Sequence, residues 1–274
     1  MLDNFKGLET KATNVRKNII RMVTKAASGH PGGSLSAVEI LTSLYFKEMN
    51  VTEENVNNLH RDKFVLSKGH ASPVLYSVLH EKGFISTEDL STFRQVNSKL
   101  QGHPNMNYIP AVDMSTGSLG QGISTAVGMA ISNKINGLND RVYTLLGDGE
   151  LEEGQVWEAA MAAAHYKLDN LVAIVDFNGL QIDGDITKVM NPNPIDKKFE
   201  AFGWNVLTVN GHDFAELLDA YQTARETKGQ PTVIIAKTVK GKGVSFMENQ
   251  AGWHGAAPSA EQCEQAINEL GGNE

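Results

Sequence analysis

A short glycine-rich motif, Gly147-Asp148-Gly149, places one carboxylate directly after a predicted strand and before a predicted helix. Glycines let a ligand approach the backbone closely, and the start of a helix favours an anion. Asn178 follows the next predicted strand and offers an amide oxygen. Carboxylate, amide and phosphate oxygens together suit Mg²⁺. We therefore expect a magnesium-bridged phosphate here, rather than the plain turn that Gly-Asp-Gly alone would indicate.

Four of the eight histidines lie in the glycine-containing motifs singled out here: His30, His70, His103 and His254. A histidine can donate to sugar hydroxyls and can move protons near neutral pH, although each one taken singly is more often a surface loop residue. The other four are expected to be surface or helix residues: His60, His80, His165 and His212. Zinc is a weaker alternative, because no histidine pair has close helical spacing and Cys263 is the single cysteine.

The glycine-rich segment 116–122 (TGSLGQG) is a second candidate for a phosphate loop. It lacks the ending of a Walker loop and the glycine spacing of a dinucleotide-binding turn, so nucleotide binding is disfavoured. We expect instead a tight turn into a helix that packs beneath a cofactor.

Several charged residues near these motifs have both a functional and a plain interpretation. Lys68, Lys240 and Lys242 could neutralise phosphates, or they could be ordinary surface lysines. Glu152 and Glu153 open the helix after the Gly-Asp-Gly motif. They are either favourable charges at a helix start or carboxylates held near a cofactor and a subunit boundary.

The elements that must position these motifs alternate between strands and helices. Apolar runs predict strands at 63–66, 142–146, 171–177, 205–209 and 232–236. Periodicity and capping predict helices at 9–27, 34–47 (capped by Ser34), 72–82, 87–93, 120–135, 153–166 and 213–227, a loop at 240–258 and a short final helix. The pattern favours an α/β fold, a doubly wound parallel sheet with helices on both faces. Ligands of such sheets bind at the carboxyl ends of the strands, where the motifs lie.

The composition disfavours several classes of function. The 274 residues include 24 Lys and Arg against 32 Asp and Glu, and the net charge of −8 disfavours a nucleic-acid-binding protein. The single cysteine permits no intramolecular disulfide and fits a reducing compartment. The N-terminal segment has no apolar targeting region, and no apolar run is long enough to span a membrane. We therefore expect a cytoplasmic protein without a membrane partner.

Six segments, in order, resemble the N-terminal, thiamine diphosphate-binding part of transketolase. They are GHPGGSLSAVEIL at 29–41, SKGHASPVLY at 67–76, GHP at 102–104, TGSLGQGISTAVGMA at 116–130, GDGELEEGQVWEA at 147–159 with Asn178 beyond it, and KTVKGKGVSF…WHG at 237–255. The resemblance runs from near residue 10 to near residue 258. It departs from the family's metal motif at Phe177, where the family usually has a first Asn.

The resemblance implies that residues 1–274 form a single diphosphate-binding domain, which holds thiamine diphosphate through Mg²⁺, or through Ca²⁺ or Mn²⁺. The implied metal ligands are Asp148, Asn178 and the carbonyl of Leu180. The implied cofactor contacts are His70, Gly117, Leu119, Gly149, Glu150, Asn178, Lys240 and His254. The implied catalytic residues are His30, His70, His103 and His254, which would line the substrate channel, and Glu153, which would meet its counterpart across a dimer interface.

The resemblance also implies a split enzyme. In the family, a second, pyrimidine-binding domain supplies the carboxylate that activates the cofactor, and the arginines for the sugar phosphate lie outside residues 1–274 as well. We expect these on a complementary chain, in an assembly with two copies of each chain (α2β2). The implied activity is transfer of a two-carbon ketol unit from a ketose phosphate to an aldose phosphate, as in pentose phosphate metabolism.

Two alternatives stay open. One is another thiamine-dependent ketol transferase, or a deoxyxylulose phosphate synthase, acting on a different sugar. The other belongs to a different class and is a non-catalytic module that only binds the cofactor.

Overall fold

Five parallel strands form the central sheet, and the computed structural model describes residues 5–272. The strands of this sheet are β1 (Lys63–Leu66), β2 (Val142–Gly147), β3 (Leu171–Phe177), β6 (Asn205–Asn210) and β7 (Thr232–Lys237). Two very short strands, β4 (Leu180–Gln181) and β5 (Gly184–Asp185), form a separate antiparallel ribbon. The order across the sheet is β1-β2-β3-β7-β6, and every neighbouring pair is parallel. The carboxyl ends of the strands therefore lie along one edge.

Helices connect the strands and pack on the sheet. In chain order they are α1 (Lys6–Ala26), α2 (Pro31–Leu35), α3 (Val38–Ser43), α4 (Ser72–Glu81), α5 (Thr87–Leu90), α6 (Gln121–Ile135), α7 (Gly154–His165), α8 (Ile186–Val189), α9 (Ile195–Ala201), α10 (Phe214–Glu226) and α11 (Ala260–Glu269). Short 3₁₀ turns at Gly69–Ala71, Gly149–Glu152 and Ala251–Trp253 lie near the carboxyl ends of the strands. Among the described residues, no helix is long and apolar enough to cross a membrane.

Alternate residues of each strand enter two separate apolar cores. In β3, Val172 and Ile174 join the core beneath α1, α3, α4 and α10, whereas Ala173 and Val175 join the core beneath α6, α7 and α9. This alternation follows from the pleat of a strand, which points successive side chains to opposite faces. The predicted doubly wound sheet with helices on both faces is confirmed.

The prediction of one helix over 34–47, capped by Ser34, was wrong. The chain instead begins α2 at Pro31, with His30 as the cap residue, because proline suits the first turn of a helix. Ser34 lies inside α2, and its hydroxyl donates to the carbonyl of His30 at 2.7 Å. A break then separates α2 from α3, and a π-helical turn, Leu44–Glu48, ends the segment. His30, as the cap residue of α2, lies at the edge of the sheet where the strands end.

Most other predicted elements are present with boundaries shifted by a few residues. The predicted final helix is α11, whose cap residue Ser259 forms a reciprocal capping box with Gln262. The predicted helix at 153–166 begins at Gly154, with Glu153 as its cap residue, after the short 3₁₀ turn.

Candidate active site

A cavity of about 280 Å³ opens where β1, β2, β3 and β7 end. Its wall contains most of the residues singled out from the sequence: His30, His70, Gly117, Leu119, Asp148, Gly149, Glu150, Asn178, Leu180, Lys240 and His254. Segments far apart along the chain therefore meet at one place, as expected for a parallel sheet of this type. Of the predicted site residues, His103 and Glu153 are not part of this wall.

Three oxygen-bearing groups lie together on one side of the cavity. Asp148 is 2% exposed, and its carboxylate accepts hydrogen bonds from the amides of Gly149 (2.9 Å) and Gly179 (2.5 Å). Asn178 and Leu180 follow β3 in the same wall, and the side-chain oxygen of Asn178 accepts from the amide of Leu180 at 3.1 Å. Burial, together with a nearby carboxylate, raises the pKa of Asp148 to about 6. Within residues 5–272, Asp148 takes part in no ion pair.

Three imidazole rings form a cluster on the other side of the cavity. The ring centres of His30, His70 and His254 are 5.1–5.5 Å apart. Burial lowers the pKa of His30 to about 4 and that of His254 to about 3, and burial beside Lys68 lowers the pKa of His70 well below its usual value. The rings are therefore neutral near pH 7 and can each donate one hydrogen bond and accept another. The Nδ1 atom of His30 is buried and has no hydrogen-bond partner among the described residues.

Lys240 connects the imidazole cluster to the oxygen-bearing side. Its ammonium lies 3.0 Å from the carbonyl oxygen of Leu180 and 3.0 Å from Nδ1 of His254. Because the ammonium donates to Nδ1, the ring proton of His254 is on Nε2. Burial lowers the pKa of Lys240 to about 8, which leaves it mostly charged at neutral pH. Lys240 is thus a buried cation in the cavity wall, between the carbonyl oxygen of Leu180 and the ring of His254.

Lys68 and Lys242, for which the sequence left both a phosphate-binding and a surface interpretation open, each pair with a carboxylate. The ammonium of Lys68 is 2.5 Å from Oδ2 of Asp176 and 2.7 Å from the carbonyl oxygen of Gly33, so its charge is neutralised inside the protein. Lys242 lies outside the cavity wall and pairs with Glu248 at 3.3 Å. Of the three lysines considered, Lys240 is the one placed to meet an anion in the cavity.

The carboxylate of Glu150 connects three parts of the site by hydrogen bonds. Its carboxylate accepts from the hydroxyl of Ser67 (2.5 Å) and from the amides of Gly120 (2.8 Å) and Gly147 (3.0 Å). It therefore connects the ends of β1 and β2 to the start of α6. Burial raises the pKa of this carboxyl group. Its predicted cofactor contact stays a prediction, since both oxygens are already engaged within the protein.

His103 lies next to the cavity, behind Gly117. A Cβ atom on Gly117, whose φ is 156°, would come within 3.1 Å of the His103 ring, so glycine permits this close approach. Burial, reinforced by the charge of Arg94, lowers the pKa of His103. A neutral imidazole therefore lies at one flank of the cavity.

The chain matches the thiamine diphosphate-binding domain of transketolase over residues 9–274. That match spans almost the whole sequence. The chain belongs to the transketolase family. It is 44% identical over 263 residues to one of the subunits of the apulose-4-phosphate transketolase of Phocaeicola vulgatus, covering 96% of this chain and 93% of that one. It is 42% identical over 264 residues to a 6-deoxy-6-sulfo-D-fructose transketolase subunit of a Clostridium species, covering 96% of each chain.

A solved structure supports the transketolase fold directly. The Campylobacter jejuni transketolase superposes with a TM-score of 0.92 at 39% identity, over 97% of this chain. This chain spans 43% of the length of that transketolase chain. The subunits of P. vulgatus and Clostridium, in contrast, are matched over nearly their full length.

The sequence analysis did not single out Asp176, which lies at the carboxyl end of β3 next to this transketolase-type site. Asp176 is fully buried and accepts hydrogen bonds from Ser36, Lys68, Asn178 and Thr238. Burial by itself would raise the pKa of Asp176, but the adjacent Lys68 ammonium holds this pKa below its usual value. A carboxylate inside the apolar run LVAIVDF was a signal that could have identified it.

The four histidines set aside from the sequence have different positions in this transketolase-family chain. His60 and His165 are exposed, and His80 lies on α4 with its ring against the carbonyl of Ile85. The prediction was wrong for His212, whose side chain is 14% exposed and lies 2.9 Å from a carboxylate oxygen of Glu39. Glu153 is exposed at the start of α7, as is Glu152 beside it.

Proposed function

We propose that this chain is the diphosphate-binding subunit of a split transketolase, which transfers a two-carbon ketol unit from a ketose phosphate to an aldose phosphate. The observation that carries the proposal is the cavity at the strand ends. One of its sides presents oxygen atoms that could ligate a metal ion, and the other presents neutral imidazoles. Lys240 lies between the two sides. The first side suits a metal-bound diphosphate, and the second suits the hydroxyls of a sugar.

The donor set fits Mg²⁺, which we propose as the metal, with Ca²⁺ or Mn²⁺ as substitutes. A carboxylate, an amide oxygen and a carbonyl oxygen, from Asp148, Asn178 and Leu180, are the oxygen ligands that such hard cations take. Asp148 is buried without an ion-pair partner among the described residues, so a divalent cation would supply the missing positive charge. The zinc alternative has no support, since no group of three or more His, Cys, Asp or Glu in residues 5–272 could hold a metal ion.

Thiamine diphosphate, when bound, supplies the carbon nucleophile and the electron sink that ketol transfer requires. Lys240 would bind its diphosphate, the amide of Gly149 would donate to it, and Gly117 and Leu119 would lie against its rings. His30, His70, His103 and His254 would bind the sugar hydroxyls and move protons, because neutral imidazoles can both donate and accept. Glu150 would hold the surrounding strand ends in place.

A complementary subunit with the pyrimidine-binding domain would complete the site. The names of the two relatives matched over nearly their full length, each a transketolase subunit, support this part of the proposal. We propose two copies of each chain, α2β2, with the exposed Glu153 at the contact between the two copies of this chain. A cytoplasmic location and a role in pentose phosphate metabolism complete the proposal, in line with the single cysteine.

The proposal leaves the identity of the physiological sugar substrate to be determined by experiment. The relatives are named for apulose 4-phosphate and for 6-deoxy-6-sulfo-D-fructose, so related subunits serve different sugars. Another ketol transferase, or a deoxyxylulose phosphate synthase, is therefore the second candidate. A panel of ketose donors and aldose acceptors separates these possibilities.

The test begins with affinity capture of this chain from its native cell and identification of the bound protein by mass spectrometry. We expect a partner of about the same size, and ketol transfer by the complex but not by the chain alone. Substitution of His103 by Ala should abolish that activity, whereas substitution of the exposed His165 should not. Appreciable turnover by the verified single chain would refute the split enzyme, and a captured complex without ketol transfer would favour the non-catalytic binding module. Full activity of His103→Ala would remove His103 from the catalytic residues.

A further inference from the structure

The backbone around Lys240 is held by two side chains that do not belong to the cavity wall. We call residues 239–243 the Lys240 segment. Nε2 of His212 accepts a hydrogen bond from the amide of Val239 at 2.9 Å. Nε of Arg16 donates to the carbonyl oxygen of Lys242 at 3.0 Å. The two contacts therefore lie on either side of Lys240 along the chain.

Both side chains meet at one buried carboxylate, that of Glu39, which is 8% exposed. Nη2 of Arg16 lies 2.6 and 2.8 Å from its two oxygens, and Nδ1 of His212 lies 2.9 Å from one of them. Because Nε2 of His212 accepts from the backbone, Nδ1 carries the proton and donates to Glu39. Glu39 therefore sets the tautomer of His212 and the direction of the Arg16 guanidinium.

The shape of the backbone fits this arrangement. Gly243 has a φ of 93°, and a Cβ atom there would come within 2.9 Å of Nε and Cδ of Arg16. A side chain at this position would displace the guanidinium, so the contact requires glycine. The three side chains Arg16, Glu39 and His212, which we call the Glu39 clamp, line a separate groove and are absent from the wall of the active-site cavity.

We propose that Glu39 is a positioning residue, which acts through His212 and Arg16 to hold the Lys240 segment so that Lys240 meets the cofactor diphosphate. The inference rests on the proposed function, since it assigns a partner to Lys240. Lys240 is 2% exposed and its stem packs against Gly32, where a Cβ atom would come within 3.1 Å of its Cγ. In such a confined space, a small shift of the backbone would move the ammonium away from Leu180 and His254.

Three substitutions test the clamp. His212→Phe removes the acceptor for the Val239 amide, whereas His212→Gln keeps an oxygen that can accept from it. Glu39→Gln removes the charge that orients Arg16. The matched control is Asp113→Asn, which breaks another buried pair, Arg61 with Asp113, whose side chains are 3% and 5% exposed and which is absent from both the clamp and the cavity wall.

Two measurements are made on the full-length chain and each variant. Amide hydrogen exchange measures how often the backbone of the Lys240 segment opens. Calorimetry measures the affinity for thiamine diphosphate and Mg²⁺ in the presence of the complementary subunit. For His212→Phe and Glu39→Gln we expect about ten-fold faster exchange at 239–243. We also expect about five-fold weaker binding for these two variants, with His212→Gln within about two-fold of the unaltered chain. Asp113→Asn should lower the melting temperature while leaving both readouts unchanged.

The outcomes separate this inference from the proposed function. Unchanged exchange at 239–243 in His212→Phe, or equal loss of affinity in Asp113→Asn, would overturn the inference even if the unaltered complex binds the cofactor. If the unaltered complex bound no thiamine diphosphate, the proposed function would fail, and the cofactor part of this inference would fail with it. The exchange measurement would still decide whether the clamp holds the segment.

Discussion

The ammonium of Lys68 lies 2.5 Å from a carboxylate oxygen of Asp176, and their side chains are 2% and 0% exposed. The pair joins the segment that follows β1 to the carboxyl end of β3, and Lys68 lines the cavity. Asp176 also accepts from the amide nitrogen of Asn178 at 3.1 Å, which turns the amide oxygen of Asn178 away from Asp176. The ion pair thus orients a proposed metal ligand while carrying no exposed charge of its own.

Removing one partner of this pair should destabilise the fold strongly. Lys68→Met leaves Asp176 buried without its counter-charge, and we expect the free energy of unfolding to fall by about 3–5 kcal/mol. The partly exposed pair Lys134–Asp169 provides the control, since Lys134→Met should cost at most about 1 kcal/mol. Urea unfolding of both variants measures the difference. Equal losses would show that Lys68 is not confined as described.

Substitution of Asp148 should affect the affinity for the cofactor far more than the stability of the fold. We expect Asp148→Asn to weaken Mg²⁺-dependent binding of thiamine diphosphate by about a hundred-fold or more, because the metal loses its charged ligand. The free energy of unfolding should change by only about 1 kcal/mol, since neutralising a carboxylate whose pKa is raised to about 6 offsets the lost hydrogen bond.

Asp183 provides the matched control for this substitution, because it lines the same cavity but is exposed. Calorimetry should show nearly unchanged cofactor affinity for Asp183→Asn. Unaltered affinity in Asp148→Asn would contradict the proposed metal site.

The stability of the chain should fall as the pH falls from 6.5 to 4.5, partly through His30. Burial lowers the pKa of His30 to about 4 in the folded state, against an ordinary value of 6.5. Between these values the unfolded chain binds more protons, so acid favours unfolding. After allowance for its partial exposure, we expect His30 to account for about 1 kcal/mol of this loss.

Urea unfolding at pH 6.5 and 4.5 tests the assignment to His30. The loss of stability between the two values should be smaller in His30→Gln than in the unaltered chain, whereas the exposed His165→Gln should behave like the unaltered chain. An identical loss of stability in all three proteins would refute the assignment to His30.

Glu153 should affect assembly rather than folding. It is exposed at the start of α7, so Glu153→Gln should change the free energy of unfolding of the isolated chain by less than about 0.5 kcal/mol. If it lies between two copies of this chain, the same substitution should shift the association equilibrium of the complex. Sedimentation velocity measures the shift, with the exposed Glu264→Gln on α11 as the control. Identical association equilibria for the two variants would show that Glu153 does not lie at the interface.

The sheet and the location of the cavity were predictable because both depend on local patterns. A buried parallel strand reads as a continuous apolar run, and the motifs after these runs must meet where parallel strands end. The break between α2 and α3 was not predictable from periodicity, because the residues at the break, Ser36 and Ala37, include neither glycine nor proline.

Partnerships between distant charged residues could not be read from the sequence. Lys68 and Asp176 are 108 residues apart, and His212 and Glu39 are 173 residues apart. The apolar run around Asp176 signals that this carboxylate is buried, but it does not identify Lys68 as its partner. The local sequence of His212 and Glu39 likewise gives no sign that the two side chains meet. Only the packed fold shows that burial removes them from water and requires each charge to find a partner.

The order of strands in the sheet also governs how the chain acquires its ligand site during folding. The four strand ends that bound the cavity come from separated segments, and parallel pairing of such segments is slow. A partly folded chain in which β1 has not yet paired with β2 has no complete site. A ligand bound at the cavity therefore stabilises the finished structure more than the folding transition state, and it prolongs the lifetime of the folded chain without accelerating its formation.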